Sequence, residues 1–233
     1  MTDPMDWAER QEDELLDAAL RLAPRLGWSA RTVHEAGREV GLTGPETELL
    51  LPEGARDLAA LLSRRLDHDA LASLAAVEPT SLKIRERIRT AVLGWLDAAL
   101  AHEPAVRRWT GFLALPPNAP LGLRLAWASA DGLWRWAGDT ATDENHYSKR
   151  ALLSEILITT LAIAMASGRG AAERHLDGRI AGVMAFERWK ARAFPPGEFA
   201  DSAAAFLGRL RYGRRAVDPA ADPAVEPAAE AAP

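Results

Sequence analysis

The stretch LGLRLAWASADGLWRWAGDTATDENHYSKRALLSEILITT, residues 121–160, decides how the rest of the chain is read. Two helical patterns meet in it at a polar corner. From about Leu121 to Ala137, the residues Leu123, Trp127, Ala130, Leu133, Trp134 and Ala137 recur three and four apart, the spacing of an apolar stripe on one helix. Gly138 can end that helix, because glycine takes a left-handed backbone at little cost. Thr140 or Thr142 can then cap a second helix, with Asp143 and Glu144 at its positive end. Leu152, Leu153, Ile156, Leu157, Thr160 and Leu161 turn the second helix toward other helices. Trp127, Trp134 and Trp136 add large rings, material for a long apolar core or for a cavity between helices.

The surrounding chain has 233 residues and a formal charge of −5, so no global basic field recruits nucleic acid. It contains no cysteine, which excludes disulfides, thiolate catalysis and cysteine metal sites. The opening MTDPMDWAERQEDELLDAAL is acidic and lacks a basic signal-peptide region. The apolar run Ile156–Ala166 is shorter than the roughly 20 residues that span a bilayer and reads as a buried helix. The expected location is cytoplasmic.

Upstream, residues 9–24 carry Leu15, Leu16, Ala19, Leu20 and Ala23 on one stripe, closed by Gly27. Ser29 can cap a second helix to about Val40, and a short segment Thr43–Leu50 precedes Pro52. Gly54–Ala76 reads as one long helix or two. Short helix, glycine turn and short helix form a helix-turn-helix-like layout. Its would-be reading segment carries Pro45, Glu46 and Glu48, and those carboxylates would repel phosphates. Arg31, His34 and Arg38 read as ordinary surface groups. After Pro79, Ser81 is placed to cap a helix through Ala101 with Ile84, Ile88, Ala91, Val92, Trp95 and Leu96 inside and Lys83, Arg85, Arg87 and Arg89 on a solvated face. Glu103-Pro104 starts another helix to about Leu113, and LPPNAP breaks it.

Downstream, residues 171–194 form a helix with Leu176, Ile180, Val183, Met184 and Glu187 along one side, broken by Pro195-Pro196-Gly197. The segment EFADSAAAFLGRLRYGRR then places Phe199, Ala203, Phe206, Leu207 and Leu210 on one face beside Arg209, Arg211, Arg214 and Arg215. Such a helix can dock on anionic lipid or a partner, or pack back on its own protein. From Ala216 the Ala-Pro-Asp-Glu composition has little to bury and reads as a disordered tail. No strand pattern, repeat or glycine-rich phosphate loop is present.

Chemistry is sparse. His34, His68, His102 and His175 are scattered singles, and no nucleophile, base and orienting group stand together. The polar set Asp139, Asp143, Asn145, Tyr147, Lys149 and Arg150 reads as structural, with Asp139 pairing Arg150 or Asp143 meeting Tyr147 one turn on. The expectation is a protein that is not an enzyme and has no metal and no cofactor.

Three blocks then carry a resemblance: KIRERIR at 83–89, LALPPNAPLGLRLAW at 113–127, and WRWAGDTATDENHYSKRA at 134–151. Over roughly Leu82–Trp189 the chain resembles the Coq-nine family, TetR-fold accessory proteins of ubiquinone biosynthesis. The resemblance implies an all-α, TetR-like fold. Its parts would be a helix-turn-helix-like N-terminal domain (1–52), a C-terminal helical lipid-binding and dimerisation domain (53–195), an amphipathic C-terminal helix (196–215) and a disordered tail (216–233). It implies a homodimer without nucleic acid, an apolar cavity that takes an isoprenoid quinone intermediate or a phospholipid, a quinone-pathway hydroxylase as partner, and peripheral contact with the inner membrane. Trp95, Trp127, Trp134, Leu153, Ile156 and Leu157 are then the candidate lipid-binding residues. Phe199, Phe206, Leu207, Leu210 and Arg211 are the candidates for membrane contact. Gly138, Asp139, Thr142, Asp143, Asn145, Tyr147, Lys149 and Arg150 match the family motif. Where the family reads Asp-Phe-Asn-Trp-Tyr, this chain has Asp143-Glu144-Asn145-His146-Tyr147, and Glu173 falls near a family tryptophan. The competing expectations are a TetR-like regulator sensing an apolar ligand, and a structural or partner-binding protein that kept the fold alone.

Overall fold

Helix starts and stops follow local chemistry along the chain. The structure, a computed structural model, describes residues 4–139 and 144–193, with side chains over 7–139 and 146–182. Helix α1 (Pro4–Leu26) ends at Gly27, and α2 (Ala30–Glu39) starts where the Ser29 hydroxyl accepts the Thr32 N–H. Helix α3 (Gly44–Leu50) is opened by a reciprocal cap. The Glu46 N–H reaches the Thr43 hydroxyl, while the Glu46 carboxylate accepts the Thr43 N–H at 2.8 Å. Helix α4 (Ala55–Ser73) is continuous, which settles the choice between one helix and two.

The next helix begins later than Ser81 suggests. Residues Pro79–Ser81 form a 3₁₀ turn, and the Ser81 hydroxyl donates to the Glu78 carbonyl instead of capping a helix. Helix α5 (Ile84–Ala101) opens with the Glu86 carboxylate accepting the Lys83 N–H. Helix α6 (Glu103–Ala114) follows, and the Asn118 side-chain amide ties the LPPNAP break to the Phe112 carbonyl. Helix α7 (Ala119–Trp136) ends as its glycine predicts. Gly138 sits at φ +87°, its N–H donates to the Arg135 carbonyl, and the Asp139 N–H donates to the Trp134 carbonyl. Helix α8 (Glu144–Ser167) turns at Gly168 into α9 (Arg169–Ala193).

The described residues are all-α, consistent with a TetR-like layout. Residues 1–182 form one compact unit. In it α1 lies along α2 and α6, α4 along α5, and α7 along α8. Leu15 and Leu16 of α1, Leu58, Leu62 and Leu66 of α4, Val92 and Leu96 of α5, and Leu153 and Leu157 of α8 belong to one continuous core. Helices α1 and α2 contribute to the same continuous core as the later helices, through Leu15, Leu16, Val33 and Ala36. The Trp28 indole N–H reinforces this by donating to the Ala105 carbonyl of α6 at 3.1 Å. Residues 183–233 form a second unit, and of these only the helical backbone to 193 is described. The membrane-contact candidates Phe199, Phe206, Leu207, Leu210 and Arg211 lie outside the described residues, as does the tail.

Among the described residues one helical segment, His146–Ser167, is long and apolar enough to cross a membrane by length and composition. Leu153, Ile156, Leu157, Leu161, Ala164 and Met165 bury its apolar side in the protein, which accounts for the hydropathy. The basic face of α5 is also partly internal. Arg87 donates to the carbonyls of Leu82 and Ala137, tying α5 to the end of α7, and Arg89 pairs with Asp177 of α9. Arg87 is therefore a structural residue and not the solvated group its spacing suggests.

The polar corner between α7 and α8 is built on Arg150, whose side chain is only 2% exposed. Its Nε donates to Asp131 at 2.5 Å, and one terminal nitrogen donates to Asp139 at 3.0 Å. Lys149 holds the other oxygen of Asp139 at 2.6 Å. Burial pushes the Asp139 carboxyl up, but the two cations outweigh it and hold it below the usual carboxylate value. Of the family-motif positions, Thr142 and Asp143 lie outside the described residues, and of Asn145 only the backbone is described. Truncating Asp139 strands part of a buried guanidinium. Asp139→Ala should lower the unfolding free energy by about 1–3 kcal/mol in urea titrations. A loss under about 0.5 kcal/mol would mark the residue as a solvated surface group.

Candidate functional site

Helices α4, α5, α6, α7 and α8 surround an apolar cavity of about 540 Å³. Its inner wall is made of buried side chains: Ser63 from α4, Trp95 from α5, Trp109 from α6, Ser129 from α7, and Leu157 and Leu161 from α8. Its mouth is made of exposed ones, among them Leu123 on α7 and Ile158 and Ala162 on α8. The size lies within the range of small-molecule pockets, and the nearly all-apolar lining suits a hydrocarbon chain.

The cavity exists because α7 presents small residues to it. Ala119, Gly122, Ala126 and Ser129 fall at helical spacing and leave room that larger side chains would fill. Gly122 also lets α7 approach α6, since a Cβ there would sit 3.3 Å from that of Leu113. Two indoles stiffen the wall. Trp109 donates to the Ala59 carbonyl of α4 at 3.0 Å, and Trp95 donates to the Asp67 carboxylate at 2.9 Å.

Of the lipid-binding candidates, Trp95 and Leu157 line the cavity. Leu153 and Ile156 do not; both are buried in the continuous core, Leu153 one turn before Leu157 on α8. Trp134 does not either. Its indole N–H donates to the Lys149 carbonyl at 3.0 Å, and the Lys149 ammonium lies 5.4 Å from its ring centre, so it braces the polar corner. Trp127 packs near the exposed Tyr147, ring centres 6.3 Å apart, outside the lining. The stripe of large residues on α7 is the side that packs; the small-residue side is the one that lines. Trp109, Ser63 and Ser129 were the residues the apolar pattern did not point to, and the run of Ala, Gly and Ser along α7 is the signal that could have found them.

Asp67 stands behind this wall. No ion pair to it is present among the described residues. Burial pushes its carboxyl up to about 6, against the opposing pull of Ser129 and Trp95. The Ser129 hydroxyl lies beside Asp67 and pulls its carboxyl down, though its oxygen is buried without a well-formed hydrogen bond.

The helix-turn-helix-like region is tightly packed and capped by its own side chains. Helices α2 and α3 sit so close that Gly37 has no room for a Cβ beside Thr47. Glu46, expected to face phosphates, is folded back on Thr43 as a cap, and α3 spans seven residues.

The fold thus defines, over the described residues, an all-α protein with an apolar cavity among helices α4 to α8. The comparisons with known proteins sharpen this. Residues 119–187 match the COQ9 family model. The chain is 30% identical over 189 residues to rat "Ubiquinone biosynthesis protein COQ9, mitochondrial" (Rattus norvegicus), covering 76% of this chain and 59% of the relative. The protein of the same name from Bos taurus is 30% identical, and that from Homo sapiens 29%, each over 76% of this chain and 58% of the relative. Together these matches support a place for the chain in the COQ9 family. It spans less than two thirds of the length of these relatives.

Asp67 makes stability depend on pH. Its carboxyl holds a proton better folded, at about 6, than unfolded, near 3.8. Its favourable contribution is therefore complete at low pH and is lost as the pH rises from about 4 to about 6. A difference of that size is worth roughly 3 kcal/mol at most. Asp67→Asn keeps a carbonyl for the Trp95 N–H and removes the ionisation. Across that window the parent should lose stability relative to the variant in urea unfolding. Parallel curves would show that the carboxyl is as well solvated folded as unfolded.

Proposed function

We propose that this chain is a non-enzymatic lipid-binding accessory protein of ubiquinone biosynthesis, which holds an isoprenoid quinone intermediate and presents it to a hydroxylase. The observation that carries the reading is the apolar cavity opening between α7 and α8, whose walls from these two helices lie inside the segment that matches the family model. A bundle core need not be hollow, whereas a lipid carrier must be. Each CH₂ taken from water contributes about 0.8 kcal/mol, so a chain of five such groups gives a useful gross affinity before ordering costs. The hydroxylase would meet the carrier near the mouth. There Leu123 and Ile158 are exposed, in keeping with a face that hands over an apolar molecule. The working assembly in this reading is a homodimer in the cytoplasm, in peripheral contact with the inner membrane through the segment after Pro196.

Native purification followed by mass spectrometry of the extracted ligand tests the reading. The parent should carry an isoprenoid or other long-chain lipid. Ala126→Phe fills the cavity and should abolish copurified lipid while the thermal midpoint stays level or rises. Ile156→Trp overpacks the core behind it and should cost about 1–3 kcal/mol. A parent free of lipid after gentle purification would defeat the proposal.

A further inference from the structure

The two ends of the cavity differ in chemistry. At the mouth the wall is Leu123, Ile158 and Ala162. At the inner end stand Ser63, Ser129 and the Trp95 ring, and Ser129 is 2% exposed. The Ser129 oxygen has no well-formed hydrogen bond. A buried hydroxyl without one is unfavourable, a cost that a ligand can remove by bonding to it. The Trp95 N–H cannot serve a ligand as well, because it is already donated to Asp67.

Charge restricts which ligand head fits. Among the described residues no lysine, arginine or histidine lines the cavity. The Asp67 carboxyl stands behind Trp95 and Ser129 at this end. An anionic head pushed to this end would lose its water, find no cation and meet a carboxylate, and each of these is unfavourable in an apolar pocket. A hydroxyl has none of these costs. It can accept from Ser129 or donate to it, because a serine hydroxyl does both.

Resting on the lipid-binding reading above, we infer that the inner end of the cavity is a head-group site for an uncharged hydroxyl, alcohol or phenol, at the end of an apolar chain. Ser129 is its hydrogen-bonding partner, and chains ending in a carboxylate or phosphate are excluded from entering head first. Asp67 is the residue that enforces the exclusion, and it does so through charge and without touching the ligand. The chain leaves along the apolar wall toward Leu123 and Ile158.

Two probes of one chain length separate head from tail: dodecanol and dodecanoate, titrated near pH 8, where the second is ionised. Trp95 and Trp109 in the wall report binding by their fluorescence. Dodecanol should bind at least about tenfold tighter than dodecanoate. Ser129→Ala should weaken dodecanol about three- to tenfold with a thermal midpoint that stays level or rises. Asp67→Asn should strengthen dodecanoate and leave dodecanol within about twofold. Ala126→Phe should remove both signals, confirming that they come from this cavity. Equal binding of the two probes, or a Ser129→Ala protein that holds dodecanol as well as the parent, overturns the head-group site and leaves the lipid-binding reading standing. Binding of neither probe overturns both. Should Asp67→Asn fail to fold, the parent's probe ratio and Ser129→Ala still decide the matter.

Discussion

Arg150 is buried, and a buried guanidinium must be neutralised and hydrogen-bonded or the fold around it fails. Asp131 from α7 and Asp139 from the α7–α8 turn do this from two sides, with Lys149 sharing the second carboxylate. The turn is set by Gly138, whose left-handed backbone brings Asp139 back over the helix end. Fixing this corner fixes the angle between α7 and α8, and these two helices form the mouth of the cavity. A charge cluster with no part in chemistry therefore determines the shape of the apolar site beside it.

Much of this architecture was legible in the sequence. The helix periods, the glycine stop at 138 and the Asp139–Arg150 pairing all follow from local rules that act within one or two turns. The start of α5 was not, because a three-residue turn capped by Glu78 competes with Ser81 for the same backbone. Nor was Arg87, whose partner at Ala137 lies fifty residues away in the chain. A side chain with a remote carbonyl acceptor leaves no periodic trace.

The cavity itself was half legible. Periodicity marks where large apolar residues recur, and on α7 those residues pack the core and the corner. A pocket is lined instead by what is small. Ala119, Gly122, Ala126 and Ser129 make a face whose meaning appears only when α6 and α8 are set opposite it. Trp95 was recognisable because it lies on the buried face of α5, whereas Trp109 needed the contact with Ala59 to be placed. Single helices encode their own stripes, but a void belongs to five helices at once.

The indole of Trp28 bonds to Ala105, one helical turn before Trp109, and Trp109 in turn is pinned to Ala59 on α4. The α1–α2 junction is thus coupled through α6 to the cavity wall. The N-terminal helices, laid out like a DNA reader but with α3 closed by its own acidic cap, act as the foundation on which one side of the pocket rests. A chain that had no use for DNA would still be unable to discard them, since removing them would uncover α6 and let the wall sag into the space it encloses.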